Sequence, residues 1–159
     1  MFEALLEIFE IHSLGSLQIS LLAVLPELFL FLAISVLLLV GSSYSTSKRH
    51  GYPMLVKPIA WITIFALGLA FLLVLNNPIP HQIIFSGALI VYNFTNFIKA
   101  VVLLSSIACL AVSLDYIKQE RIHAFEYSVL ILFAVLGMLL LVSSYDLITL
   151  YLAIEMVSL

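Results

Sequence analysis

Apolar residues run through the chain in long blocks separated by short polar stretches. The blocks cover residues 21–41, 58–75, 97–114 and 125–144, each near the ~20 residues a helix needs to cross a ~30 Å hydrocarbon layer. The first separator, 42–57, holds Lys48, Arg49, His50, Gly51 and Pro53. The second, 76–80, contains Pro78 and Pro80, which forbid a continued helix. The third, 115–126, carries Lys118, Glu120, Arg121 and His123. A tight turn at Ser143–Asp146 then leads into a fifth apolar block, with Asp146 placed to cap it and the fourth and fifth helices predicted to be antiparallel neighbours. The first twenty residues differ in kind. Phe2, Leu5, Leu6 and Phe9 recur at helical spacing while Glu3, Glu7 and Glu10 fall mostly elsewhere, the pattern of a short amphipathic helix on a membrane surface. The fold class this predicts is an all-α integral membrane protein: four full transmembrane helices and the first part of a fifth, preceded by that amphipathic segment. It divides into residues 1–20, a front group of three helices over 21–114, and 115–159 with the fourth and fifth.

Composition closes off the alternatives. Only 9% of the residues are charged and 64% are hydrophobic, against about 25% charged in a soluble domain. No Lys or Arg run is long enough to grip nucleic acid. Cys109 is the only cysteine, which excludes an internal disulfide and a multi-cysteine metal or cluster site, and its apolar surroundings predict an inert buried thiol. The first twenty residues lack Lys and Arg, unlike a secretory signal or a transit peptide, which fits a chain made inside the organelle or bacterium that uses it. Lys48, Arg49, Lys57, Lys118 and Arg121 lie in the loops after the first and third spans, so the positive-inside rule puts the amino terminus outside. His81 reads as a solvated loop residue. Asn93, Phe94 and Thr95 spell a glycosylation acceptor, expected to be unused.

Few polar residues fall within the spans. Pro26 and Glu27 sit in the opening turns of the first, where proline sacrifices no hydrogen bond and a carboxylate is favoured by the helix dipole, a structural role. Lys99, near the start of the third, is expected to snorkel to the interface. Gly137 suits a close approach between helices. Glu155 stands apart. A helix starting near Asp146 puts it about 14 Å along the axis, near the membrane centre, where an acidic residue costs roughly 2.5–3.5 kcal/mol. An acid there is expected to face a polar interior and to relay protons. From Asp146 to Leu159 the fifth block gives about 21 Å of helix, short of a full crossing, so the spans are expected to continue on a second chain or in further residues.

Four stretches carry a family resemblance: LPELFLF at Leu25–Phe31, YSTSKRHGYP at Tyr44–Pro53, NFTNF at Asn93–Phe97, and the long, specific Phe125–Leu159. They resemble the antiporter-like membrane subunits of proton-pumping NADH:quinone oxidoreductase, respiratory complex I, over most of the chain beyond residue 20 but only the opening part of a family member. The AIE motif at Ala153–Glu155 is similar to the mitochondrial and bacterial forms. The resemblance implies that Glu155 is one half of a polar pair in a proton half-channel, its partner a buried lysine two spans later. Movement of an ammonium relative to a buried carboxylate changes proton affinity. It further implies complex I membrane-arm subunits and membrane lipid as partners, a second chain with the remaining spans, and a place in the mitochondrial inner membrane, or a bacterial plasma membrane as the alternative. With no glycine-rich nucleotide fingerprint and no cysteine cluster, the chain is expected to bind no cofactor; NADH, flavin, iron–sulfur clusters and quinone belong to other subunits. Met156 and Val157 depart from the pattern, Lys99 stands where many relatives are uncharged, and the first twenty residues have no counterpart. Two other readings compete: a subunit of a cation/proton antiporter, and a noncatalytic membrane scaffold.

Overall fold

The computed structural model describes residues 18, 20–45, 53–77, 82–119 and 126–158. The predicted amphipathic helix, apart from residues 18 and 20, and the basic residues Lys48, Arg49 and Arg121 lie outside them. A helical turn at 20–23 leads into α1 (Leu25–Ser45), followed by α2 (Pro53–Leu75), α3 (Asn93–Gln119), α4 (Glu126–Ser143) and α5 (Leu147–Ser158). The first four are long and apolar enough to cross a membrane. The chain is thus the multi-pass helical membrane protein its hydrophobic blocks predict.

Several boundaries move from their predicted places. α2 begins at Pro53 rather than 58, because Pro53 is suited to a first helical position and Pro58 is absorbed early in the helix, where its missing N–H frees a single carbonyl. α3 begins at Asn93, four residues before the predicted Phe97, since Asn96 N–H already donates to Tyr92 O at 3.0 Å. It runs on to Gln119, so its 27 residues span about 40 Å and project beyond a ~30 Å layer.

Between α2 and α3 the chain forms a small β-hairpin that hydropathy did not reveal. β1 (Gln82–Ile84) and β2 (Leu89–Val91) pair antiparallel, with Gln82 opposite Val91 and Ile84 opposite Leu89. A 3-10 turn, Phe85–Gly87, joins them, with both Phe85 and Gly87 at positive φ. Glycine takes that conformation freely, and the run of Ile, Leu and Val around Ser-Gly is the local signal for a hairpin. Two strands alone are marginally stable. This pair is held by a small core in which Ile84, Leu89 and Val91 meet Ala23 and Val24, and by Tyr145 N–H donating to Ala88 O at 3.0 Å.

The helices pack in a ring. α1 touches α2, α2 touches α3, α3 touches α4 and α4 returns to α1, which sets α1 and α3 on a diagonal. Leu30, Ile34, Leu67, Leu103, Leu110, Leu132 and Leu139 fill the interior. α5 lies outside the ring against α4, joined by the predicted tight turn. Gly137 makes that contact possible: a Cβ there would stand 2.8 Å from Val157 Cγ2 and 3.1 Å from Val157 N. Cys109, predicted to be buried, is exposed on α3. Lipid and protein interior are equally apolar, so an apolar run does not tell which face of a membrane helix a small thiol occupies.

Candidate functional site

Three buried hydroxyls among the described residues are satisfied within their own helices. Thr63 Oγ1 donates to Ile59 O, Ser106 Oγ to Val102 O and Ser143 Oγ to Leu139 O, at 2.7–2.8 Å. That local solution is closed to an ammonium and a carboxylate, whose charges need a counter-charge or water.

Lys99 and Glu27 meet that need together. Lys99 is 2% exposed and Glu27 4%, and Lys99 Nζ donates to Glu27 Oε1 in an ion pair. The two residues are 72 positions apart in sequence and come from the diagonal helices α3 and α1, so their contact crosses the ring. This corrects the snorkelling expected of Lys99. Its Cα lies about 9 Å along α3 from Asn93, and the side chain turns inward because a carboxylate awaits it there. Glu27, read from sequence as favoured by the helix dipole alone, is the counter-ion. The signal that could have found the pair is positional: an acid near the start of one span and a base near the start of another that crosses in the same direction lie at similar depth.

Around the pair the polar groups are incompletely satisfied. Glu27 Oε2 and Asn77 Oδ1 are shielded from solvent and accept no hydrogen bond among the described residues. The Asn77 amide is oriented by Nδ2 donating to Ala23 O at 3.3 Å.

Glu155 is placed differently. It lies on the exposed side of α5, in a stripe with Ile148, Tyr151 and Leu152 at helical spacing, while Ala153 is buried and Met156 packs against the bundle. No ion pair reaches Glu155 among the described residues. Nor do the described residues contain a group of His, Cys, Asp and Glu that could hold a metal ion. Glu27 and Glu155 thus occupy opposite settings, one enclosed and neutralised by a counter-ion, the other on an uncovered apolar face.

The chain is similar in sequence to known proteins. The chain is 42% identical over 139 residues to the NADH-ubiquinone oxidoreductase chain 2 of Marchantia polymorpha, covering 87% of this chain and 28% of that one. With the same-named protein of Arabidopsis thaliana it shares 39% over 142 residues, 87% of this chain and 28% of the relative. The chain is homologous to one stretch of this subunit. The bacterial NADH-quinone oxidoreductase subunit N of Paramagnetospirillum magneticum is 37% identical over 141 residues, 89% of this chain and 28% of its own length. The chain therefore spans little more than a quarter of the relatives it matches. No protein-family model matches it.

Proposed function

We propose that the chain is part of a membrane-arm subunit of proton-translocating NADH:ubiquinone oxidoreductase in the mitochondrial inner membrane, and that Glu155 supplies a mid-membrane carboxylate to a proton half-channel. One observation carries the reading: the only charged residue of α5 stands on an exposed apolar stripe with no counter-ion among the described residues. Such a face is stable in a membrane once a further helix brings a polar group to it, because an unpaired carboxylate in hydrocarbon is strongly unfavourable. The homology to chain 2 and subunit N proteins supports complex I as the setting. Glu155 then exchanges its proton as its partner approaches or withdraws, while NADH oxidation and quinone reduction take place on other subunits. The covering helices belong to other parts of the subunit, on this or a second polypeptide, with membrane lipid filling the remaining surface.

Glu155→Gln tests the assignment, since an amide keeps the shape and cannot titrate. Loss of a positioned acid–base group costs on the order of 10²-fold or more in proton transfer, so proton pumping by the assembled complex in sealed vesicles is expected to fall at least about tenfold. Full pumping by the variant would leave the chain a scaffold. Purification of the native assembly without flavin or iron–sulfur subunits would make it part of a cation/proton antiporter instead.

A further inference from the structure

The ion pair inside the ring, near the starts of α1 and α3, leaves polar capacity unused. Glu27 Oε2 and Asn77 Oδ1 are both buried acceptors without a donor among the described residues. Lys99, bonded to Oε1, retains N–H groups beyond the one directed at that oxygen. Buried acceptors left unmet cost free energy, and each such group in a folded protein calls for an explanation.

Both acceptors lie near the start of α1. Asn77 is fixed to the carbonyl of Ala23, and Ala23 precedes Glu27 by four residues, one helical turn of about 6 Å. Helical side chains lean toward the amino terminus, so the Glu27 carboxylate inclines toward the turn that holds the Asn77 amide. The amide cannot be reversed to offer its N–H groups to Glu27, because Nδ2 already serves the Ala23 carbonyl, which only accepts.

A group that satisfies both oxygens must present two hydrogens and be small. Water does so, and its own lone pairs are then free to accept from Lys99, giving the three partners typical of an internal water. A cation would also suit two oxygens, but the Lys99 ammonium beside them disfavours a second positive charge. We propose that Glu27, Lys99 and Asn77 enclose an internal water site at the hairpin end of the bundle, a hydrated acid–base cluster separate from Glu155. Asn77 follows the last turn of α2 and borders the loop toward the hairpin, so the cluster runs from inside the ring toward that end of the molecule.

The test is a cryo-EM map of the native assembly at a resolution that shows ordered water, for the wild type and for Asn77→Leu. The wild type is expected to show one solvent peak within about 3.2 Å of both Glu27 Oε2 and Asn77 Oδ1. The leucine variant is expected to lose that peak and keep the Glu27–Lys99 pair. The proposal is overturned by a dry site in the wild type, or by a protein donor on Glu27 Oε2 from residues 78–81 or a neighbouring subunit. A peak of undiminished occupancy in the variant also overturns it. Should the variant fail to assemble, the wild-type map decides alone.

Discussion

Glu27 and Glu155 are the same side chain in the same hydrophobic chain, and the fold treats them in opposite ways. Glu27 is enclosed by α1 to α4 and meets its counter-ion within those helices. Glu155 rides on α5, outside the ring, facing away from the helix it packs on. A carboxylate in a membrane needs compensation in either case. The first receives it from a residue 72 positions away, which ties two diagonal helices together; the second awaits it from outside the described bundle. The contrast teaches that an acid in an apolar helix does not by itself mark a proton path. What separates a closed pair from an open site is the face on which the acid emerges.

The largest effect is expected from Lys99→Met. It keeps the volume and removes the counter-charge, leaving Glu27 enclosed and unpaired, and should destabilise the bundle by about 3–5 kcal/mol. The measure is the amount of assembled complex on native gels and its temperature of inactivation. Adding Glu27→Gln to that variant removes the stranded charge as well. The double variant should recover most of the loss, since a buried pair replaced as a unit is often near neutral; a double variant no better than Lys99→Met would show that the two residues do not act as a pair.

How much of this was legible in the sequence depends on the kind of contrast a membrane chain offers. The four spans were, because apolar blocks of crossing length stand out against polar loops. So was the Gly137 contact, since a lone glycine in a bulky apolar run marks a place where helices come close. Cys109 was misplaced, because a helix apolar all round carries little periodicity to separate its bundle face from its lipid face. The Lys99–Glu27 pair was missed for a related reason. Each residue has a satisfactory local account, a snorkelling lysine and a dipole-stabilised acid, and only the packing of α1 across from α3 shows that they meet. The hairpin was overlooked since its ten residues, 82–91, are too apolar to read as a loop and too short to read as a span.

An intermediate effect is expected at Gly137, where α5 leans on α4. Alanine there places a methyl against Val157 and Met156, including the Val157 backbone. Overpacking of this kind costs about 1–3 kcal/mol, and here it would push α5 outward, moving Glu155 while leaving Glu27 and Lys99 in place. Proton pumping by Gly137→Ala should fall more than assembly does. Equal losses in both would mean that the contact serves cohesion alone.

The smallest effect on stability is expected from Glu155→Gln. Glu155 lies on α5, outside the ring of α1 to α4, so the variant leaves the contacts of that ring intact, and the inactivation temperature of the assembled complex should fall less than in Lys99→Met. A shift of the size expected for Lys99→Met would show that a neighbouring helix closes on Glu155 into a pair as tight as the one in the ring.

The backbone bond between Tyr145 and Ala88 has a mechanical consequence. It fastens the root of α5 to the hairpin, and the hairpin in turn grips the segment just before α1 through Ala23 and Val24. A rod pinned at its root can swing but not slide. Glu155 lies about 15 Å from that pin, so a tilt of ~10° carries it by ~2–3 Å, as far as a hydrogen bond is long, while the pinned rim stays at rest.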